Sequence, residues 1–253
     1  MINWNLYIVL LGLWCLAAVI VFITLFFIPA PYGKIKRKGW GPALNSSVAW
    51  LVMESVSWAG MIVMFLTGSN KNWPVLVLLG LWLLHYFYRS LLFPFLRGKG
   101  SSAMPVMVMA SAMGFNVGNS FFNGYWLFHQ PENAYNMMWF TDVRFIIGAA
   151  LFISGFILNV TSDRILRRLR RGENVSYQIP RGGFVRLVSC PNYLGEIVEW
   201  IGWAVLTWSP AGAAFALWTI ANLAPRAVSY HAWYRETFSD YPAERKALIP
   251  FIL

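Results

Sequence analysis

Charged side chains are scarce in this sequence, and their scarcity excludes an ordinary soluble domain. Only 12% of the 253 residues are Asp, Glu, Lys or Arg, whereas 58% are hydrophobic and 17% are aromatic. Soluble domains carry about a quarter charged residues and are about half apolar. The 14 tryptophans and 19 phenylalanines would not fit into one small water-soluble core, and the mean hydropathy is +0.54. The composition therefore predicts a multi-span membrane protein.

Cysteine and histidine are also rare, which limits the possible chemistry. Cys15 lies in the first apolar run and Cys190 in the longest basic segment, an arrangement that argues against a disulfide. His85, His129 and His231 are too widely separated for a histidine box. The chain also lacks Cys or His at metal-binding spacing, a glycine-rich dinucleotide turn, a phosphate-binding loop and a nucleophile elbow. The sequence thus predicts no metal site, and any cofactor must be held without these general motifs.

Seven apolar runs separated by turn-forming residues predict an all-α integral membrane protein with seven transmembrane helices. A transmembrane helix needs about 20 residues. The predicted spans cover residues 6–28, 43–67, 73–96, 104–128, 144–162, 193–208 and 211–234. The first run is too long for a signal-peptide core, and a basic segment without a cleavage site follows it, so we expect a retained first helix. We expect one seven-helix membrane domain over residues 1–253, with no separate soluble domain.

The positions of the cations set the predicted orientation. Seventeen of the 20 Lys and Arg residues lie in four segments, at residues 34–38, 97–99, 164–186 and 226–246. These segments alternate with connections that hold a single cation or none. This alternation follows the positive-inside rule, so the N-terminus is predicted outside and the C-terminus in the cytoplasm. The same distribution argues against nucleic acid as the partner, despite a formal net charge of +10.

A few polar side chains lie inside the predicted spans, where they mark functional positions by default. Glu54 lies in the middle of the second span without a countercharge in its own helix. In the third span, Arg89 follows His85 by one helical turn and Tyr86 by three residues. Two interpretations stay open. Glu54 forms a structural ion pair with Arg89 or His85, or it orients the Tyr86 phenol so that its proton points toward a substrate oxygen.

The polar residues of the fourth span and of the longest loop also allow two interpretations each. Asn116, Asn119 and Asn123 recur at i, i+3 and i+7, a pattern that serves helix packing or forms the polar wall of a ligand cavity. The arginine run 167–171 serves topology and attraction to anionic lipid, or it binds a phosphorylated ligand.

Five sequence blocks resemble the steroid 5α-reductase family. They occur in the family's order and, together with Glu54, cover nearly the whole chain. The blocks are His85-Tyr-Phe-Tyr-Arg89, Asn159-Val-Thr-Ser-Asp163-Arg-Ile-Leu-Arg-Arg-Leu-Arg170, Tyr177-Gln-Ile-Pro-Arg-Gly-Gly183, Asn192-Tyr-Leu-Gly-Glu196-Ile-Val-Glu199-Trp-Ile-Gly202 and Asp240-Tyr-Pro-Ala-Glu-Arg-Lys-Ala-Leu-Ile-Pro-Phe251.

The resemblance implies a seven-helix reductase that uses NADPH to saturate the Δ4 double bond of a 3-oxo-steroid. Glu54 and Tyr86 would polarise the C3 carbonyl while hydride reaches C5. Trp50 and Phe115 are expected to contact the substrate beside this pair. The family's cofactor contacts carry over onto Asn159, Asp163, Arg170, Tyr177, Asn192, Glu196, Tyr234 and Arg245. Residues 1–129 would mainly form the substrate cavity, and residues 143–253 would mainly bind NADPH.

The chain departs from the family pattern at Met53, where Gln is expected, and this departure bears on the substrate range. Two other readings of the resemblance stay open. One is an isoprenylcysteine-type membrane methyltransferase that uses S-adenosylmethionine, and the other is a related reductase of lipid enones or polyprenols. A receptor or carrier without chemistry is a further alternative. We expect a monomer in the bacterial inner membrane or the endoplasmic reticulum.

Overall fold

The computed structural model describes residues 3–31, 33, 35, 37–96, 103–130, 135–169 and 177–253. Its main elements are helices. They are α1 (Trp4–Phe27), α2 (Ser46–Thr67), α3 (Trp73–Phe87), α4 (Phe93–Leu96), α5 (Val106–His129), α6 (Val143–Arg168), α7 (Pro191–Thr207) and α8 (Pro210–Thr237). A π-turn (Tyr88–Leu92) joins α3 to α4, and 3-10 turns cover Met137–Thr141 and Gly183–Arg186. Two short strands, β1 (Ala43–Leu44) and β2 (Met104–Pro105), pair antiparallel.

Asparagine caps explain where the first three long helices begin. The side chain of Asn3 accepts a hydrogen bond from the Leu6 N–H, and Asn72 accepts one from the Val75 N–H. Asn45 accepts from two N–H groups in the first turn of α2. These bonds satisfy donors that have no partner inside the helix. The predicted spans therefore begin within three residues of the observed helices.

Four helices are long and apolar enough to cross a membrane: Trp4–Phe27, Ser46–Thr67, Trp73–Leu96 and Val143–Arg168. The all-α, membrane-spanning part of the prediction is thereby confirmed. Among the other long helices, α5 carries three buried asparagines and α7 has only 17 residues. Apolarity alone does not identify them as spans, so the number seven stays a prediction.

The chain divides into two compact units. Unit 1 comprises Met1–Ala30, Ala149–Ala204 and Ala213–Leu253. Unit 2 comprises Pro31–Gly148 and Val205–Gly212. The sequence-based division into substrate and cofactor halves stays a prediction.

In unit 2, α2 and α5 pack closely along their length. A Cβ atom on Gly60 would come within 2.3 Å of the Ser120 Oγ, and one on Gly124 within 2.5 Å of the Met64 Cβ. The contacts advance in the same direction along both helices, so α2 and α5 run parallel. Two helices that are separated by one intervening span run parallel if each connection reverses the direction of the chain.

In unit 2, hydrogen bonds join the connections between the helices at both ends of α2. The Asn72 side chain donates to the Tyr135 carbonyl at 2.6 Å, and the Tyr135 hydroxyl donates to the Thr207 carbonyl. These bonds join the weakly charged connections that follow α2, α5 and α7. At the other end of α2, Ala43 of β1 lies opposite Pro105 of β2, which joins the connections that precede α2 and α5.

In unit 1, α7 packs antiparallel to both α6 and α8. Phe215 and Trp200 lie 4.0 Å apart by ring centroids, whereas Tyr230 lies 6.0 Å from Tyr193. Residue numbers thus increase along α8 in the direction in which they decrease along α7, so these two helices run antiparallel. Trp218 of α8 also donates its indole N–H to the Trp14 carbonyl of α1 at 3.1 Å.

Candidate active site

The predicted catalytic tyrosine lies in the last turn of α3 in unit 2. Tyr86 is only 3% exposed, and its ring centroid lies 5.1 Å from that of Trp82 and 5.0 Å from that of His85. These two rings restrict the directions in which the phenol can point. A buried phenol held in this way suits the role of a fixed hydrogen-bond donor.

Glu54 lies half-buried in the middle of α2. The α2 backbone is held immediately before it, because the Asn116 side-chain amide donates to the Met53 carbonyl at 2.7 Å. Asn116 thus has the helix-packing role that was one of the two interpretations of the asparagine pattern. Phe115, the neighbouring residue on α5, is partly exposed.

Arg89 packs against aromatic rings of both α2 and α4. Its guanidinium carbon lies 4.4 Å from the Trp50 ring centroid and 4.9 Å from that of Phe93. The two rings themselves meet edge to face at 5.1 Å. A guanidinium at this distance over an aromatic face is attracted by its quadrupole. The structure therefore places Trp50, an expected substrate contact, in a fixed orientation one helical turn before Glu54.

A π-turn follows the tyrosine, and the sequence analysis missed it by predicting one continuous span. Pro94 has no N–H to donate to the Ser90 carbonyl one α-helical turn earlier. Instead, the Phe93 N–H reaches back five residues to the Tyr88 carbonyl. The wider turn reorients the residues around Arg89, and such turns often occur at functional sites. Pro94 was the sequence signal that could have predicted it.

Four of the predicted cofactor residues form one hydrogen-bonded cluster in unit 1. The Asn159 amide donates to the Asn192 carbonyl at 2.9 Å and to the Glu196 carboxylate at 3.3 Å. The Asn192 amide in turn donates to the Asp163 carboxylate at 3.2 Å. Asn159 is 1% exposed and Asp163 5%. The Asn159 Oδ1 has no hydrogen-bond partner among the described residues, so it remains available to accept a donor from a ligand.

Two glycines explain why this cluster forms between α6 and α7. A Cβ on Gly155 would lie 2.3 Å from the Glu199 backbone nitrogen, and one on Gly195 would lie 2.5 Å from the Asn159 backbone nitrogen. Only a hydrogen fits there, so the two backbones approach closely, as small residues allow in membrane helices. Helix α6 also extends to Arg168, beyond the predicted end at residue 162, and it therefore carries Asp163.

Tyr234 and Arg245 both contact the ring of Tyr241. The Tyr234 ring stacks on Tyr241 at 5.2 Å with 13° between the planes, and the Arg245 guanidinium lies 5.2 Å from the Tyr241 centroid. Arg245 donates one bond, from Nη2 to the Pro180 carbonyl at 3.0 Å. Its Nε and Nη1 have no partner among the described residues although the residue is only 5% exposed. Buried donors of this kind are costly unless a ligand satisfies them.

The remaining two predicted cofactor residues are less defined. Tyr177 lies at the surface with its ring 4.9 Å from that of Trp233. Arg170 lies outside the described residues, and its role stays a prediction. Within the described ranges, no group of three or more His, Cys, Asp or Glu side chains could hold a metal ion.

The structure thus groups the predicted residues into two sets. Glu54, Tyr86 and Trp50 lie in unit 2, and the hydrogen-bonded cluster and the tyrosine stack lie in unit 1. Tyr241, which contacts both Tyr234 and Arg245, was not among the site residues predicted from the sequence. Its position inside the Asp-Tyr-Pro motif of the tail was the available signal.

Comparisons with known proteins identify the family of the chain. Residues 102–253 match the family model described as 3-oxo-5-alpha-steroid 4-dehydrogenase. The chain is 43% identical over 237 residues to steroid 5-alpha-reductase DET2 of Arabidopsis thaliana, covering 91% of this chain and 90% of the relative. Human 3-oxo-5-alpha-steroid 4-dehydrogenase 2 is 42% identical over 88% of each chain. The bovine type 1 enzyme is 37% identical over 94% of each chain.

These apolar helices, buried polar sites and relatives define the class of the protein as a membrane oxidoreductase. More narrowly, the chain belongs to the 3-oxo-5-alpha-steroid 4-dehydrogenase, or steroid 5-alpha-reductase, family. The resemblance noted in the sequence is confirmed, and the methyltransferase alternative is not supported.

Proposed function

We propose that this protein reduces the Δ4 double bond of a 3-oxo-steroid to the 5α product with NADPH as the reductant. The names of its relatives give the substrate class and the stereochemistry. The observation that carries the proposal is the buried phenol of Tyr86, fixed between two rings in a member of this family. The half-buried Glu54 on another helix supports it.

The proposed chemistry begins at the C3 carbonyl of the steroid. Tyr86 donates its hydroxyl hydrogen to the carbonyl oxygen, which withdraws electrons from the conjugated C5 atom. A protonated Glu54 that donates to the phenol oxygen turns the phenol hydrogen toward the substrate. NADPH supplies the hydride for C5 when it is bound. The negative charge that develops on the C3 oxygen is stabilised by the same Tyr86 hydrogen bond, and this stabilisation is largest in the transition state. Addition of a proton from solvent at C4 then restores the C3 carbonyl and completes the reduction.

The proposed NADPH site is the polar set of unit 1. Two buried nitrogens of the Arg245 guanidinium, Nε and Nη1, have no partner among the described residues, and a phosphate offers acceptors that match a guanidinium. The Asn159 oxygen is an acceptor for a ribose hydroxyl or the carboxamide. Asp163, Asn192 and Glu196 shape the same cluster. We include Tyr177, Tyr234 and Arg170 in the site by family resemblance.

The proposed topology has seven spans with the N-terminus outside and the C-terminus in the cytoplasm. The parallel direction of α2 and α5 and the joined weakly charged connections of unit 2 support it. In unit 1, the tail is hydrogen-bonded to the basic loop before α7, with the Ser189 N–H donating to the Lys246 carbonyl at 2.8 Å. Such pairing suits two segments on one side of a membrane. We further propose a monomer, in a bacterial inner membrane or the endoplasmic reticulum.

Substitutions that separate chemistry from cofactor binding test the proposal. Tyr86→Phe and Glu54→Leu should each abolish turnover of a Δ4-3-oxo-steroid and leave the Kd of NADPH within about twofold, because each removes a hydrogen-bond donor and neither residue belongs to the proposed cofactor set. Arg245→Ala and Arg170→Ala should instead weaken NADPH binding about tenfold or more, since each removes a charge-assisted contact. Wild-type kcat in Tyr86→Phe would refute the donor role. Unchanged NADPH affinity in Arg245→Ala would refute the phosphate contact.

A further inference from the structure

Three side chains from separate segments of unit 1 meet at one hydroxyl group. Ser189, in the loop before α7, lies with its Oγ 2.6 Å from the Nδ1 of His231 on α8 and 2.7 Å from the Tyr241 hydroxyl in the tail. The same Oγ lies 3.1 Å from the Lys246 carbonyl. Ser189 and Tyr241 are buried and His231 is half-buried.

The hydrogen-bonding capacity of serine assigns the donors. A hydroxyl has one hydrogen and two lone pairs, so three contacts use all of its capacity. The Lys246 carbonyl can only accept, so the Ser189 hydrogen points to it. Tyr241 and His231 must then both donate to the Ser189 oxygen. This arrangement places the ring hydrogen of a neutral His231 on Nδ1.

Each member of this cluster either lies three residues before a residue of the proposed cofactor site or contacts one directly. Ser189 precedes Asn192 by three residues, and His231 precedes Tyr234 by three residues on α8. The hydroxyl of Tyr241 is held by Ser189, and its ring contacts both Tyr234 and Arg245. If the hydroxyl bond is lost, the ring keeps its packing but loses the contact that fixes its position.

We propose that Ser189, His231 and Tyr241 form a clasp of positioning residues that holds Arg245, through the Tyr241 ring, in the geometry required by the dinucleotide phosphates. The clasp joins the loop before α7, helix α8 and the tail through one serine oxygen. It acts through Arg245 and makes no contact with the steroid chemistry. This inference rests on the proposed NADPH site.

The first test removes single donors and measures NADPH binding to the purified full-length protein. Tyr241→Phe keeps the ring and deletes only the hydroxyl. It should raise the Kd of NADPH about five- to tenfold. The KM for NADPH should rise by a similar factor, whereas kcat at saturating NADPH should stay within about twofold. His231→Asn, whose amide can replace the Nδ1–H donor, should bind within about twofold of wild type, and His231→Ala should resemble Tyr241→Phe.

Tyr135→Phe is the matched control, because it also deletes a buried tyrosine hydroxyl bond but lies in unit 2. It should lower the thermal midpoint and leave the Kd of NADPH unchanged. A merely structural clasp would lower the midpoint in Tyr241→Phe as in Tyr135→Phe without changing NADPH affinity, which would overturn the inference.

A double-mutant cycle tests whether the clasp acts through Arg245. Tyr241→Phe combined with Arg245→Ala should bind NADPH no more weakly than Arg245→Ala alone, because the positioned group is already absent. Full additivity would overturn the inference. If wild type failed to bind NADPH, the proposed function itself would fail. If wild type and Arg245→Ala differed as expected but Tyr241→Phe matched wild type, only the clasp would fail.

Discussion

Helices α6 and α7 approach each other so closely at Gly155 that an added methyl group must separate their backbones. In unit 1, a Cβ at position 155 would lie 2.3 Å from the Glu199 nitrogen, 2.6 Å from the Gly195 oxygen and 2.7 Å from the Glu199 Cα. All three are backbone atoms, so no side-chain rotation can relieve the contact. Ordinary separations of such atoms are about 3.5 Å, and Gly155→Ala must therefore move α7 away from α6 by about 1 Å.

A shift of this size breaks the cofactor cluster as well as the packing. The bond from Asn159 to the Asn192 carbonyl measures 2.9 Å, and about 1 Å more would exceed hydrogen-bonding distance. Overpacking costs about 1–3 kcal/mol, and a lost buried hydrogen bond costs about 1 kcal/mol more. At about 2–4 °C per kcal/mol for a chain of this length, the midpoint should fall by about 4–16 °C, and NADPH affinity should fall with it.

The assay is thermal unfolding in detergent, followed by tryptophan fluorescence, together with NADPH titration. Gly80→Ala is the matched control, because a Cβ there meets nothing within 4 Å and alanine favours the helix by about 0.5–1 kcal/mol. The control should unfold at or above the wild-type midpoint at the same scan rate. Equal midpoints and equal NADPH affinities for Gly155→Ala and Gly80→Ala would refute the close-packing argument.

Two further predictions concern unit 2. Arg89→Lys keeps the charge but loses the planar stacking on Trp50, which contributes about 0.5–2 kcal/mol. The KM for the steroid should therefore rise several-fold. An unchanged KM would contradict the orienting role of Arg89. Asp142 lies 2.7 Å from Arg144, and its hydrogen bonds to Arg144 lower its pKa to about 2. A lowered carboxyl pKa stabilises the fold above the ordinary value of 3.8, and the effect is lost as the pH falls through about 2. The small difference in thermal midpoint between wild type and Asp142→Asn should therefore be constant from pH 5 to 8, and a change across that range would contradict this assignment.

Local signals made the fold largely predictable. Long apolar runs with Asn3, Asn45 and Asn72 before them fix the helix starts to within a few residues, because caps and hydropathy are encoded in neighbouring residues. The polar positions Glu54 and Tyr86 were identifiable for the same reason, since an exception to an apolar pattern is visible in one dimension.

Features that depend on distant contacts were not predictable. Gly155 and Gly195 look like ordinary glycines in the sequence, and only the packing of α6 on α7 shows why a hydrogen is required at each. The Asp-Tyr-Pro motif singles out Tyr241 in the sequence, but only the folded tail shows that its ring contacts Tyr234 and Arg245. The π-turn was a different kind of failure, because its cause, Pro94, lay within the predicted span.

The family resemblance supplied what local patterns could not. Asn159 and Asp163 lie at the end of a predicted span, where topology or packing would explain them equally well. The structure shows Asn159 bonded to Asn192 and Glu196, so residues far apart in sequence form one site. Periodicity contains no information about that pairing, because it records only contacts within a helix.

The central claim is that this protein delivers hydride to C5 of a Δ4-3-oxo-steroid. The most direct measurement is product analysis with the purified full-length protein, NADPH deuterated at the nicotinamide C4, and a panel of Δ4-3-oxo-steroids, linear lipid enones and polyprenols. The account predicts a 5α-steroid with one deuterium at C5, and no such product from Tyr86→Phe. A 5β product, deuterium at another carbon, or reduction of the linear substrates alone would contradict it.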